Sequence, residues 1–351
     1  MHSSRWQVRR FIVVSGFVAL LVAVMVWNRP SPDSAPAVTP PDHDPMEAPA
    51  EAVLFQEVLS VSDAVVRDGV WYAIDIYGPW VHRLDAATGS VRTFGRKGEG
   101  PGEFRGIPGE IVMHGDSIVI TDGQSLRIFG LEGQHYEDRI VRIRSSCSIE
   151  EALSLSGFLL FLVRCPNRED TSYHVLHEAR SGLLTEVSSL SQERGAPTTG
   201  RVVLGPHPNG FVFGQPYLDC LELYGFDGAP LGEECHEWIE RLPMPEMTVD
   251  QKAEIEAIKE QARQRGIEVE LPEYMPPFVR VSVTTDGEMV YLANAPDGNV
   301  PRLLTRAATG DQVVLPVRSA PIMIVDGDHI LLGWRGLDGT RLLFVDIPGI
   351  P

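Results

Sequence analysis

The sequence predicts an all-β fold: a six-bladed β-propeller of four-stranded blades. An N-terminal strand closes the last blade, and one helical insertion separates blades 4 and 5. Three observations carry this expectation. Gly (33) and Pro (27) are abundant in a 351-residue chain that is 43% hydrophobic, the balance expected of short strands joined by tight turns. A turn glycine followed by an apolar strand recurs at Gly69, Gly115, Gly157, Gly210, Gly287 and Gly327. A second turn glycine follows each one, at Gly89, Gly133, Gly182, Gly228, Gly310 and Gly349. Two hairpins make four strands, and units of about 40 to 50 residues, six times over, close into a ring in which each blade is one sheet.

The elements follow in chain order. Arg5, Arg9 and Arg10 precede an uninterrupted apolar run, FIVVSGFVALLVAVMVW, from Phe11 to Trp27. Its 17 residues lie at the short end for a membrane span, and Trp27 stands where an interfacial aromatic anchors one. Ala35–Ala37 would suit a cleavage site but falls well past the run, so residues 1–27 read as an uncleaved signal anchor. The basic flank then stays in the cytoplasm and everything after it is exported. This predicts a single-pass inner-membrane protein with its propeller in the periplasm or otherwise outside the cytoplasm. Residues 28–52 carry seven prolines and read as a semi-extended stalk; residues 53–351 read as the propeller.

VLFQEVLSV, at 53–61, is a strand to spare before the first unit, and the last unit stops one strand short. Placed outermost on the last blade, it closes the ring and removes an open edge. The four cysteines fit the same register. Cys147 and Cys165 lie symmetrically about the turn at Gly157, and Cys220 and Cys235 about Gly228. Antiparallel hairpins set such residues opposite each other, which selects disulfides 147–165 and 220–235. Zinc is disfavoured because no C-x₂-C spacing occurs.

FGRKGEGPGEF, at 94–104, raises the question of a phosphate loop. Gly98, Gly100 and Gly102 alternate, Pro101 interrupts them, and a strand pattern rather than a helix follows. A phosphate loop needs a helix opening behind it, so the stretch reads as a joint between blades 1 and 2, with Phe94 and Phe104 plugging the seam. Residues 94–133 as a whole resemble an NHL-type repeat: a glycine loop ending in Phe, a Pro, a strand, and a strand ending in Asp122. Arg127, Phe129 and Gly133 then fall in the corresponding places. PEYMPPFVRVSVTTDGEMVYLA, from Pro272, is similar to exported bacterial six-bladed propellers with NHL-like blades. The match is partial in blade 1, where Asp75 is present and Trp80 replaces the arginine, and degenerate elsewhere. The resemblance implies a six-bladed propeller and no single activity. Related propellers are platforms for proteins or ligands, and some distant ones are metal-dependent hydrolases or lyases.

With blade strands named a to d from the axis outward, the b–c loops and d–a connections share one face. The b strands end near Asp75, Asp122, Arg164, Gln215, Asn294 and Arg335. They are expected to ring the channel mouth, with Tyr77, Trp80, Tyr217 and Trp334 nearby and Arg127 carried over from the repeat. Aromatics with arginine are the usual anchors of recognition, although strand ends carry polar residues for structural reasons as well. The helix predicted over 248–266 starts with Thr248 and Gln251 at capping-box spacing. It has a thin apolar stripe of Val249, Ile255, Ile258 and Ala262 and reads as a lid or docking element, or as a tolerated surface insertion.

Several chemistries are disfavoured. A net charge of −18 argues against nucleic acid. There is no G-x-S-x-G elbow. His174 and His177 would point to opposite faces of a strand, and His236 reads as a hairpin surface residue. Asp75, Asp122 and Asn294 could approximate a Ca²⁺ site, but Arg164 and Arg335 in the same ring would repel the ion. The expectation is a membrane-tethered propeller that binds a protein or small ligand on its b–c face, without catalysis or cofactor. A Ca²⁺-dependent lactonase- or esterase-like hydrolase is the alternative. Contact with the membrane is expected through the N-terminal segment alone.

Overall fold

The computed structural model describes residues 52–351 except Pro79, Ser156, 167–169, 179–183, 194–201, 245–248, 265–273, 295–300, 307–309, 311, 316–321, 337–338 and 348–351. The apolar run at 11–27 and the proline-rich stretch at 28–51 lie outside the described residues. Among the described residues no helix is long and apolar enough to cross a membrane. The chain divides into two compact units, Pro45–Pro245 with Ala262–Pro351, and Met1–Asp44 with Glu246–Gln261.

The larger unit is a six-bladed propeller. Its first strand, β1 (Val53–Phe55), belongs to the last blade. Blade 1 is β2 (Val61–Arg67), β3 (Val70–Asp75), β4 (Trp80–Asp85) and β5 (Ser90–Phe94). Blade 2 is β6 (Ile111–His114), β7 (Ser117–Asp122), β8 (Ser125–Gly130) and β9 (His135–Ile140). Blade 3 is β10 (Ser148–Leu155), β11 (Phe158–Pro166), β12 (Asp170–Glu178) and β13 (Leu184–Glu193). Blade 4 is β14 (Val203–His207), β15 (Gly210–Gly214), β16 (Cys220–Gly225) and β17 (Pro230–Cys235). Blade 5 is β18 (Phe278–Val283), β19 (Met289–Ala293), β20 (Arg302–Arg306) and β21 (Gln312–Val314). Blade 6 is β22 (Ile322–Asp326), β23 (His329–Gly336) and β24 (Gly339–Asp346), completed by β1 with Val53 opposite Leu342 and Phe55 opposite Thr340.

Each a strand touches the next around the circle, from β2 through β6, β10, β14 and β18 to β22 and back to β2. The cores lie in the seams. Ile74 and Val81 of blade 1, for example, pack with Ile118, Ile120 and Phe129 of blade 2. A blade is therefore covered on both sheet faces, so its middle strands are continuous apolar runs and not alternating ones. Leu159–Val163 in β11 are all buried, as is every residue of β15.

The glycine stretch is a joint. Gly98 donates to the Phe104 carbonyl at 3.0 Å and Phe104 to the Arg96 carbonyl at 2.8 Å, folding the loop on itself. Phe104 is fully buried in the seam, 6.1 Å from the ring of Phe129, which also meets Phe94 at 5.1 Å. Gly102 has φ +69, and a side chain there would run into His135; only glycine fits that path.

Both disulfides pair as the register requires, Cys147 with Cys165 and Cys220 with Cys235. The described helix is α1 (Val249–Arg263); residues 248, 265 and 266 of the expected span lie outside the described residues. Val249, expected at the head of its apolar stripe, is 82% exposed. Within the propeller, the two ends of this insertion are pinched together: Pro243 bridges Tyr274, and Met275 donates to the Leu242 carbonyl at 2.8 Å.

Candidate binding face and the central channel

At the b–c end, several of the expected site residues turn out to hold the scaffold. Asp75 is fully buried, and its carboxylate accepts N–H bonds from Leu59 (2.7 Å), Ser60 (3.2 Å) and Tyr77 (2.9 Å). His82 Nε2 lies 3.4 Å from the same carboxylate, and its Nδ1 is 3.0 Å from Thr93 Oγ1. Burial pushes the Asp75 carboxyl up, but hydrogen bonds from His82, Leu59 and Tyr77 outweigh it and hold the group below its ordinary range. Asp75 thus splices the β1–β2 connection onto the end of β3.

Asp122 does the same in blade 2. It accepts the Arg105 N–H at 3.1 Å and pairs with Arg127 at 3.0 Å, while Arg127 also reaches Asp138 at 3.3 Å. Trp334 is 4% exposed and sits in the core between blades 5 and 6. Asp75, Asp122, Arg127 and Trp334 are therefore corrections: they serve the fold and not the surface. The cause is general, since a strand end buried beside an entering loop leaves N–H groups that need acceptors. His236, read from sequence as a surface residue, is also buried, edge-on to Phe278, with Nε2 3.1 Å from the Pro216 carbonyl.

Arg164 is half-buried, 3.8 Å from Glu150. Asn294 donates from Nδ2 to the Pro276 carbonyl at 2.7 Å. Gln215 and Tyr217 are half-buried in the β15–β16 loop. The oxygen set envisaged for Ca²⁺ does not fit the ion, because Asp75 and Asp122 are spent on N–H and guanidinium donors. Among the described residues, the one grouping of three His, Cys, Asp or Glu ligand atoms is Cys220, Glu233 and Cys235, two of which form a disulfide.

What remains open at this face lies on the seam between blades 6 and 1. Tyr77 is 59% exposed and Trp80 37%. The exposed Arg335 places its guanidinium 4.9 Å over the Tyr77 ring and donates to the Tyr77 hydroxyl at 3.1 Å and to Ser60 Oγ. Leu59, in the adjoining connection, is 43% exposed. The structure thus unites Tyr77 and Arg335, which are 258 positions apart in the chain.

The axis is lined by a strands, not by b-strand ends, because the a strand of each blade stands between its neighbours and the centre. A cavity of about 110 Å³ there is lined by Asp63, Glu110, Glu151, Arg280 and Asp326 among others. Three of these carboxylates cross a seam to the next blade's a strand. Asp63 accepts the Ile111 N–H at 2.9 Å, Glu151 that of Leu204 at 2.9 Å, and Asp326 that of Val66 at 2.7 Å. An innermost strand has no partner on its axial side, so its N–H groups need such acceptors. Arg280 donates to Asp63 at 2.8 Å and to Glu110 at 3.0 Å. Burial, then the Asp63 charge, push the Glu110 carboxyl well above its ordinary range against the pull of Arg280. Burial also raises Asp326, and the Asp63 carboxylate holds Arg280 firmly protonated. This cluster escaped the sequence reading. Its one signal is an acidic residue inside an otherwise apolar first strand, as in SVSDAVV and PIMIVD.

No family model matches the chain, and no curated protein does. Similar solved structures share the architecture. A Bacteroides fragilis protein inferred to be exported has a TM-score of 0.54 at 12% identity, covering 86% of this chain and 93% of its own. A luciferin-regenerating enzyme has a TM-score of 0.50 at 8% identity, covering 86% and 94%. A gluconolactonase from Xanthomonas campestris reaches 0.49 at 10% identity, covering 85% and 88%. At these identities the likeness is one of fold.

Proposed function

We propose that this chain is an exported, noncatalytic binding module, held at the inner membrane by residues 11–27, whose working surface is the b–c end around the seam between blades 6 and 1. The observation that carries the reading is Arg335 stacked over exposed Tyr77, with Trp80 exposed at the start of the next strand. An exposed cation–aromatic pair on a rigid ring loses little freedom on binding. Two disulfides support an oxidising compartment. Among the described residues, the Ca²⁺-dependent hydrolase reading has Asp75 and Asp122 already committed to N–H and guanidinium donors.

The test is site-specific photo-crosslinking in the producing cell, with the photoreactive side chain placed at Trp80 in the full chain. A discrete adduct that disappears on Tyr77→Ala with Arg335→Ala is the expected result. Crosslinking no stronger than from Asp68, in a turn at the other end of blade 1, would overturn the reading.

A further inference from the structure

The two ends of the propeller differ in charge in a way the net charge hides. The a–b and c–d end carries exposed carboxylates, among them Asp68 and Asp116, which share the single Arg67, and Asp346 beside His329, with side chains 88%, 89% and 85% exposed. The described residues of the b–c end are different across blades 6, 1, 2 and 3. Arg335 stands at the first seam, Arg105 in the connection from blade 1 to blade 2, and Arg142 and Arg144 in the connection from blade 2 to blade 3. All four are exposed. The side chains of Arg105, Arg142 and Arg144 have no ion-pair partner among the described residues. Among the described residues of these connections, carboxylates are fewer or occupied. Glu57 and Glu99 are exposed, Glu103 is tied to Arg96 and the Gly100 N–H, and Glu110 faces the channel.

Apolar groups share this arc. Leu59, Tyr77, Trp80 and Ile107 are 43%, 59%, 37% and 65% exposed, and each sits in a d–a connection or beside a b–c loop. Arginine with no ion-pair partner among the described residues of a strongly acidic chain suits an anion. Its planar fork suits carboxylate or phosphate.

We infer that the arc from blade 6 to blade 3 receives an acidic polypeptide segment that carries apolar side chains. The inference rests on the binding reading above and gives that surface a partner class. Two features favour polypeptide over nucleic acid or an anionic glycan. Leu59 and Ile107 are aliphatic, and aliphatic groups with aromatics and arginine make protein recognition surfaces. The arc is also bounded: on blade 4's side lie the exposed Glu237 and Glu240, with Asp219 paired to Arg241. Beyond a screening length of about 8 Å, a long polyanion would run onto carboxylates, whereas a short acidic segment ends before them.

The test uses the full chain and a labelled random copolymer of glutamate and tyrosine, followed by fluorescence anisotropy. Poly-lysine, oligouridylate and polygalacturonate serve as competing probes. We expect saturable binding of the copolymer that weakens as salt rises from about 50 to about 200 mM. The triple variant Arg105→Glu, Arg142→Glu, Arg144→Glu should weaken it by about tenfold or more with unchanged thermal melting. No binding, or binding indifferent to the triple variant, overturns the inference. So does preference for oligouridylate or polygalacturonate. If the crosslink from Trp80 persists in the cell while the triple variant leaves it untouched, the inference fails and the binding reading stands. If Tyr77→Ala with Arg335→Ala also leaves the crosslink intact, both fail.

Discussion

Arg280 of blade 5 and Asp63 of blade 1 meet at 2.8 Å on the propeller axis. The pair joins blades that are not neighbours in the ring, and the same guanidinium nitrogen reaches Glu110 of blade 2 at 3.0 Å. The Asp63 side chain is 5% exposed, so removing the cation leaves a charge with little water around it. Arg280→Met should cost about 3–5 kcal/mol of unfolding free energy in urea. Adding Asp63→Asn should restore part of it, because the stranded charge is gone. A cost under about 1 kcal/mol would show that channel water solvates the carboxylate.

Glu110 makes the ring sensitive to base. Its folded carboxyl titrates well above the ordinary 4.5, so the native state holds a proton that the unfolded chain has released. The stability from that proton is whole below about pH 4.5 and is lost as pH rises through the raised value. Glu110→Gln keeps an acceptor for Arg280 and removes the titration. Its urea midpoint, compared with the parent across pH 5 to 9, should be flatter and higher at the alkaline end.

Asp75 has the opposite sign. Its folded carboxyl lies below the ordinary 3.8, so its contribution is present above that value and lost as pH falls through the lowered one. Asp75→Ala also strips the acceptor from the N–H groups of Leu59, Ser60 and Tyr77. We expect a loss of about 3 kcal/mol, with Asp75→Asn milder because one oxygen remains. An Ala variant as stable as the parent would mean that water replaces the carboxylate.

The two disulfides close loops with sequence separations of 18 and 15. Replacing either pair by alanine should lower stability by about 3 kcal/mol. Because the pairs lie in blades 3 and 4 without shared partners, the double replacement should be close to additive. Calorimetric melts of the three variants measure both.

The ring was legible in the sequence because its signals are local. Gly69 and Gly157 mark turns between apolar strands, and Cys220 and Cys235 stand across from each other about Gly228. The surplus strand at 53–61 finds its place as soon as the last blade is counted. The site was less legible. Asp75 as an exposed anchor and Asp75 as a buried acceptor of three N–H groups are the same letter at the same strand end. Burial decides between them, and burial depends on the loop of another blade. Arg280 and Asp63 were beyond reach for a related reason: only closure of the whole circle brings β18 opposite β2. Arg335 and Tyr77 were each found as candidates, but their stacking needs the 6–1 seam.

The pairing of β1 with β24 ties the start of the propeller to its end. A ribosome delivers Val53 long before Leu342, so the earlier strand waits unpaired while blades 1 to 5 are made. Blades 1 to 5 can form hairpin by hairpin as they emerge, since each is continuous in the chain. The sixth cannot form at all until Gly339–Asp346 has arrived. A chain cut short anywhere before that point retains Phe55 with no core to enter and the inner strands of an unfinished circle open at their edges. Such edges are where proteases and aggregation begin. Closure therefore works as an inspection of length: only a chain that reaches β24 hides β1.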